Sequence, residues 1–141
     1  MRTFTTLDLR DARRALAAMR EALLRDGLAA VILVADAHGD PLVLERSDGA
    51  PASSVTIARN KAFTAASEGV PSRAVGDRVR SPERLDIGYY GDPRICGWAG
   101  GVPVRHDGRV VGAVAVSGLP EDDDERIALL GAAAIAIAVA E

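Results

Sequence analysis

Apolar residues at Leu9, Ala12, Leu16, Met19 and Leu23 alternate spacings of three and four, with Arg10, Arg13, Arg14, Arg20, Glu21 and Arg25 between them. That is the stripe of a helix with one buried face. Thr5 with Asp8 offers a capping box at its start and Gly27 a left-handed stop, so the pattern predicts a helix from about Leu7 to Asp26. Two runs rich in valine, isoleucine and leucine follow, separated by Asp36, Gly39, Asp40 and Pro41. They predict a hairpin with strands near Ala30–Ala35 and Leu42–Arg46. Ser53 or Ser54 opens a second helix that stops at Gly69, and Pro71 with Ser72 begins a short, peripheral helical segment. From Asp86 to Gly101 the chain is glycine-rich and carries Tyr89, Tyr90 and Trp98, which predicts a loop or edge strand lined by aromatics. Gly101–Arg105 and Arg109–Val116 flank His106-Asp107-Gly108, and Asp-Gly between apolar alternations is a strong hairpin signal. Pro120 and the acids from Glu121 to Glu125 suit the positive end of a last helix that runs to the C-terminus.

The order is helix, two strands, one or two helices, about three strands, helix. Tight hairpins imply antiparallel pairing, since parallel strands need a long crossover between them. The fold class is therefore α/β of the α+β kind, an antiparallel sheet with segregated helices. A chain of 141 residues is expected to form a single domain over 1–141. Its formal charge of −3 and pI near 5.4 give it no broad cationic surface, so nucleic acid is not an expected partner. The single cysteine, Cys96, excludes an internal disulfide, and His38 and His106 cannot alone close a structural zinc site. Charged residues throughout the N-terminal segment argue against a signal peptide, and a cytoplasmic location is expected. The longest apolar run, Ala128 to Ala140, falls short of the roughly 20 residues that span a bilayer. It calls for burial against protein, not lipid.

Lys61 is the single lysine among 17 basic residues. It sits by the apolar face of the second helix, where burial makes an amine a nucleophile or proton carrier. The structural alternative is a snorkelling stem with an ion pair to Glu68 or Asp48. Arg46 and Asp48 follow the second strand, where a charged pair either faces a pocket or fixes a loop. The glycines of Cys96-Gly97-Trp98-Ala99-Gly100-Gly101 offer backbone amides to an anion, or else form a turn that has no room for a Cβ. Ser117-Gly118 either presents a hydroxyl to a ligand or ends a strand. The acids of the last helix serve as a general acid or cation site, or as a solvated helix end. His38 and His106 fall in turns, and Cys96 reads as a thiolate ligand or a small buried hydrophobe. There is no P-loop, dinucleotide fingerprint, HExxH run or ordered Ser/His/Asp set.

Three blocks together carry a resemblance: VADAHGDPLVLERSDGAPASSVTIARNKAFTAA, GGVPVRHDGRVVGAVAVSG, and the downstream Asp124-Glu125. They resemble the GlcG/HbpS family, labelled haem-binding or haem-degrading, which is also similar to the C-terminal domain of PduO-type adenosyltransferases. With the leading helix, the resemblance spans nearly the whole chain. It implies a profilin-like or roadblock-like layer with a five-stranded antiparallel sheet and flanking helices, and homo-oligomers from dimers to octamers. It also implies haem as a cofactor and carries Arg46, Asp48, Lys61, Thr64, Gly100, Gly101, Ser117, Gly118 and Asp124 to one pocket. The leading helix lacks a histidine, the position from which a PduO-like domain supplies an axial ligand.

Two functions follow. The first is a binding protein for haem, another tetrapyrrole or another carboxylated small molecule, held by Arg46, Lys61 and the Gly100 and Gly101 amides, with Trp98 covering the ring. The alternative is an enzyme acting on a small carboxylate or cyclic metabolite, with catalytic Lys61 as proton carrier or nucleophile and Asp124 as acid/base partner. No metal site is expected beyond a haem iron.

Overall fold

A computed structural model describes the backbone over residues 1–140 and side chains over 1–136. Its elements are α1 (Leu9–Asp26), β1 (Val31–Asp36), β2 (Pro41–Arg46), α2 (Ser53–Glu68), α3 (Ser72–Arg80), a short 3₁₀ turn (Ile87–Tyr90), β3 (Gly101–His106), β4 (Arg109–Ser117) and α4 (Glu121–Ala140). All strand pairs are antiparallel, in the order β2-β1-β4-β3.

Local chemistry sets most element ends. Gly27 and Gly69 close α1 and α2 in the left-handed region, as their positions predict. The start of α1 differs: Asp8 is the cap, accepting the Asp11 amide at 2.9 Å while the Asp11 carboxylate accepts the Asp8 amide at 3.3 Å. Thr5, expected to cap, takes no part, and its neighbour Thr6 accepts the Ala37 amide at 2.9 Å, tying the N-terminus to the first hairpin turn. Asp107 and Gly108 both have positive φ, 50° and 74°, the geometry of a two-residue hairpin turn.

The sheet has four strands, not five. The segment expected to be a loop or an edge strand, Asp86 to Gly101, takes the loop form, a 3₁₀ turn and a succession of bends. Two aspartates curl it: Asp86 accepts the Gly88 amide at 2.8 Å and Asp92 the Arg94 amide at 2.9 Å. Such side-chain turns compete with ladder pairing, and the glycines between them weaken a strand further.

Helices cover both faces. α1 and α4 pack together on one, over Ile32, Val34, Val104, Val114 and Val116. On the other, Ala58, Ala62 and Ala65 of α2 meet Val31, Leu33, Ala35, Ala113 and Ala115. Being sandwiched explains why β1 is buried at successive positions and does not alternate with polar residues. The small side chains bring α2 close to the sheet. Ser72, Val75 and Gly76 of α3 are buried, so this helix is more than peripheral. The expectation that the last helix is buried on several sides is partly met: Ile127, Ala128 and Ile135 are buried, Leu129 and Leu130 are exposed, and side chains 137–140 lie outside the described residues.

Candidate functional site

The end of β4, the first turn of α4 and the middle of α2 converge at one corner of the sandwich. Lys61 leaves α2 there with 2% of its surface exposed, and its Nζ donates to the Val116 carbonyl at 3.0 Å and to Asp124 Oδ2 at 2.9 Å. Asp124, equally buried, uses its other oxygen to accept the Leu119 amide at 3.1 Å. The carboxylate thus joins α2 to α4 and caps the turn that leads into α4. Neither Glu68 nor Asp48 is the partner of Lys61. Burial pushes the Asp124 carboxyl above its ordinary value, against the opposing pull of the Lys61 ammonium.

The pair forms the floor of a cleft of about 340 Å³. Ser54, Ser117, Gly118 and Glu121 supply further polar edges, and Ile57, Trp98, Leu119 and Pro120 the apolar walls. Ser54 and Ser117 are each 3% exposed, yet neither hydroxyl has a hydrogen-bond partner among the described residues. No fully enclosed side-chain nitrogen or oxygen among those residues is left unpartnered, so both hydroxyls open into the cleft. Lys61 is similar: a lysine carries three N–H donors, and only two are engaged.

The glycine pair has a packing role. Gly100 has φ +129°, and a Cβ there would lie 2.5 Å from the Val116 carbonyl oxygen and 2.9 Å from Lys61 Nζ. A Cβ on Gly101 would run into the Lys61 backbone carbonyl. These residues let β3 start against α2 while Gly100 stays beside the ion pair. The Gly101 amide, expected to face an anion, is donated to Ser72 Oγ at 2.9 Å.

Trp98 is half-exposed at the rim, and α3 sets its position. Ser72, fully buried, donates its hydroxyl to the Trp98 carbonyl at 2.7 Å. Thr64 does the same for the preceding turn, accepting the Cys96 amide at 2.8 Å and donating to the Asn60 carbonyl at 2.7 Å. It is buried behind the cleft and lines none of it. Burial pushes the Cys96 thiol up, which favours the protonated form over a thiolate. Ser72→Ala strands the Gly101 amide and the Trp98 carbonyl, an expected loss of about 1–3 kcal/mol in urea unfolding, with a changed Trp98 emission maximum in the folded state.

Of the expected site residues, Lys61, Trp98, Ser117, Gly118 and Asp124 line this cleft, and Gly100 lies against its floor. Arg46 and Asp48 do not. Arg46 pairs with Val31, which on its other side pairs with Ser117, so Arg46 lies two strands away, about 10 Å. It is exposed and lines a separate depression with Arg20, Leu24 and Asp48. Ser54 and Glu121 are the polar residues that sequence reasoning did not place at the site. Ser54 reads as a helix opener, but the N-cap of α2 is Ala52 and no side chain caps it, which leaves that hydroxyl free.

Comparison with known proteins sets this geometry in a lineage. The model of the family described as haem degrading protein HbpS-like matches residues 7–133, nearly the whole chain. The chain belongs to the HbpS-like family. Among relatives, an uncharacterized 15.0 kDa protein from the dhaT-dhaS intergenic region of Citrobacter freundii is 32% identical over 124 residues, 87% of each chain. The crystal structure of a double mutant of Streptomyces reticuli HbpS superposes with TM-score 0.84 at 35% identity, covering 94% of this chain and 89% of that one. A crystal structure of a PduOC:heme complex gives TM-score 0.84 at 25% identity, over 92% and 95% of the two chains. The family's description names haem, and the PduOC neighbour was solved as a haem complex. No helix among the described residues is long and apolar enough to cross a membrane.

Proposed function

We propose that this HbpS-like chain is a small-molecule-binding protein whose cleft receives a ligand carboxylate. The observation that carries the reading is a set of three free donors on well-buried side chains: the third N–H of Lys61 and the hydroxyls of Ser54 and Ser117. Hydrogen bonds from such groups to a charged acceptor are stronger than neutral ones. Trp98 and Ile57 provide apolar cover, and a volume of about 340 Å³ sits near the small end of ligand pockets, roughly 300–1,000 Å³.

The lining of this cleft does not fit axial ligation of a haem iron by the usual ligands. None of the ten lining residues is His, Met, Cys or Tyr. His38 packs on Phe4 in the first hairpin turn, ring centroids 5.5 Å apart, and His106 ends β3 beside Asp107. Met19 is fully buried in the core. A tetrapyrrole matches this cleft through its side-chain carboxylates alone, which is why the reading is a carboxylated ligand, with haem one member of the class.

The same reading keeps the chain a homo-oligomer, dimer or larger, because Leu24, Leu129 and Leu130 on the outer sides of α1 and α4 are 76%, 52% and 40% exposed. It also keeps the protein in the cytoplasm, where the unpaired Cys96 stays reduced.

The test is a titration of wild type and a Ser54→Ala/Ser117→Ala variant with para-toluate and, separately, haemin. Loss of two donors to a carboxylate is expected to weaken para-toluate about tenfold or more. Equal affinity in both proteins overturns the reading. Haemin uptake that depends on the same hydroxyls puts the tetrapyrrole carboxylates in this cleft.

One observation favours an enzyme as second reading. Lys61 and Asp124 share a proton-bearing hydrogen bond at the cleft floor, the arrangement a relay needs to accept a proton from a bound substrate. A Lys61→Met variant that keeps full turnover of an identified substrate removes that role.

A further inference from the structure

The charges around the cleft do not balance. Lys61 and Asp124 sum to zero whichever of them holds the shared proton. Glu121 is the other charged residue in the lining, half-buried, and it has no ion-pair partner among the described residues. Its neighbours in the first turn of α4 differ: Asp122 and Glu125 are both engaged by Arg73, at 2.6 and 3.2 Å, and Asp123 by Arg126 at 3.4 Å. Glu121 alone of that acidic turn is left for the cleft. It lines the same cleft as Trp98.

A ligand that is only an anion therefore meets one uncompensated negative charge on the wall. A ligand that is only a cation wastes the Lys61, Ser54 and Ser117 donors. We infer that the ligand is zwitterionic, with a carboxylate on the Lys61, Ser54 and Ser117 donors and an ammonium or other cationic nitrogen between Glu121 and the Trp98 ring. Trp98 suits that end because it is 53% exposed at the rim and an indole face attracts a cation. The inference rests on the carboxylate reading above and names the other end of the ligand.

The experiment uses three probes of one shape on wild type and Glu121→Gln: para-(aminomethyl)benzoate with both charges, para-toluate with the carboxylate alone, and benzylamine with the cation alone. Binding is read from the indole resonance of Trp98, the single tryptophan. The zwitterion is expected to bind wild type about tenfold more tightly than para-toluate, and Glu121→Gln to erase that advantage while para-toluate binds as well or better. Para-toluate binding without any advantage for the zwitterion overturns this inference and leaves the carboxylate reading standing. An advantage that survives Glu121→Gln also overturns it. Failure of both para-toluate and the zwitterion to bind overturns both.

Discussion

Lys61→Met is expected to cost about 3–5 kcal/mol of folding stability, because it leaves the Asp124 carboxylate buried with one backbone amide and no cation. The loss reads out as a lower urea midpoint with an unchanged slope. The second half of the prediction separates structure from function. A Lys61→Met/Asp124→Leu variant removes both charges and is expected to recover most of that stability, since a buried ion pair replaced by apolar groups of similar size is often neutral or better. If the pair served only to hold α2 to α4, this double variant would bind ligand as wild type does. The proposed site requires the opposite: a stable fold that has lost its carboxylate affinity. A single variant as stable as wild type would show that Asp124 is reached by water or sits protonated without cost.

What the sequence makes legible here is local. The caps at Gly27 and Gly69, the Asp107-Gly108 turn and the proline-led start of α4 depend on residues within a few positions of one another, and each element stands within a residue or two of its expected place. Patterning left Asp86 to Gly101 open between loop and edge strand; the loop forms because Asp86 and Asp92 pull their own backbone into turns, a competition that hydrophobic patterning does not register. At the site the division is similar. Lys61 stands out as the lone lysine, but its partner lies 63 residues away across the sheet, and spacing alone points to nearer acids. Resemblance to relatives, not pattern, brings Asp124 into view. Arg46 shows the converse error: it shares a cross-strand row with Ser117, yet the row is too wide for both to touch one ligand in this cleft. Ser54 and Glu121 were illegible because the property that marks them is the absence of a partner. In a sequence, a helix-opening serine and a first-turn acid look like a cap and a dipole partner whether or not they serve as such.

Gly100→Ala is expected to be nearly as damaging as the loss of Lys61, for an unrelated reason. The residue has φ +129°, a conformation that costs an alanine about 1–3 kcal/mol by itself. The new methyl would also sit 2.5 Å from the Val116 carbonyl oxygen, 2.9 Å from Lys61 Nζ and 3.0 Å from Asp124 Cβ. The first contact is backbone in the central strand β4 and the third lies on the helix that carries Asp124, so neither yields as a flexible side chain would. Overpacking of this kind adds about 1–3 kcal/mol, for a total of about 2–6 kcal/mol. Gly49→Ala supplies the control. Its φ of +89° is also left-handed, but a Cβ there meets nothing within 4 Å, so it carries strain without the clash. The difference between the two urea midpoints isolates the packing contribution. Because the Gly100 methyl pushes on the Lys61 Nζ that holds Asp124, that difference should be accompanied by weakened para-toluate binding in Gly100→Ala and by none in Gly49→Ala. Equal midpoints for the two would mean that β3 can withdraw from α2 without cost, and that the glycine does not hold the ion pair in place.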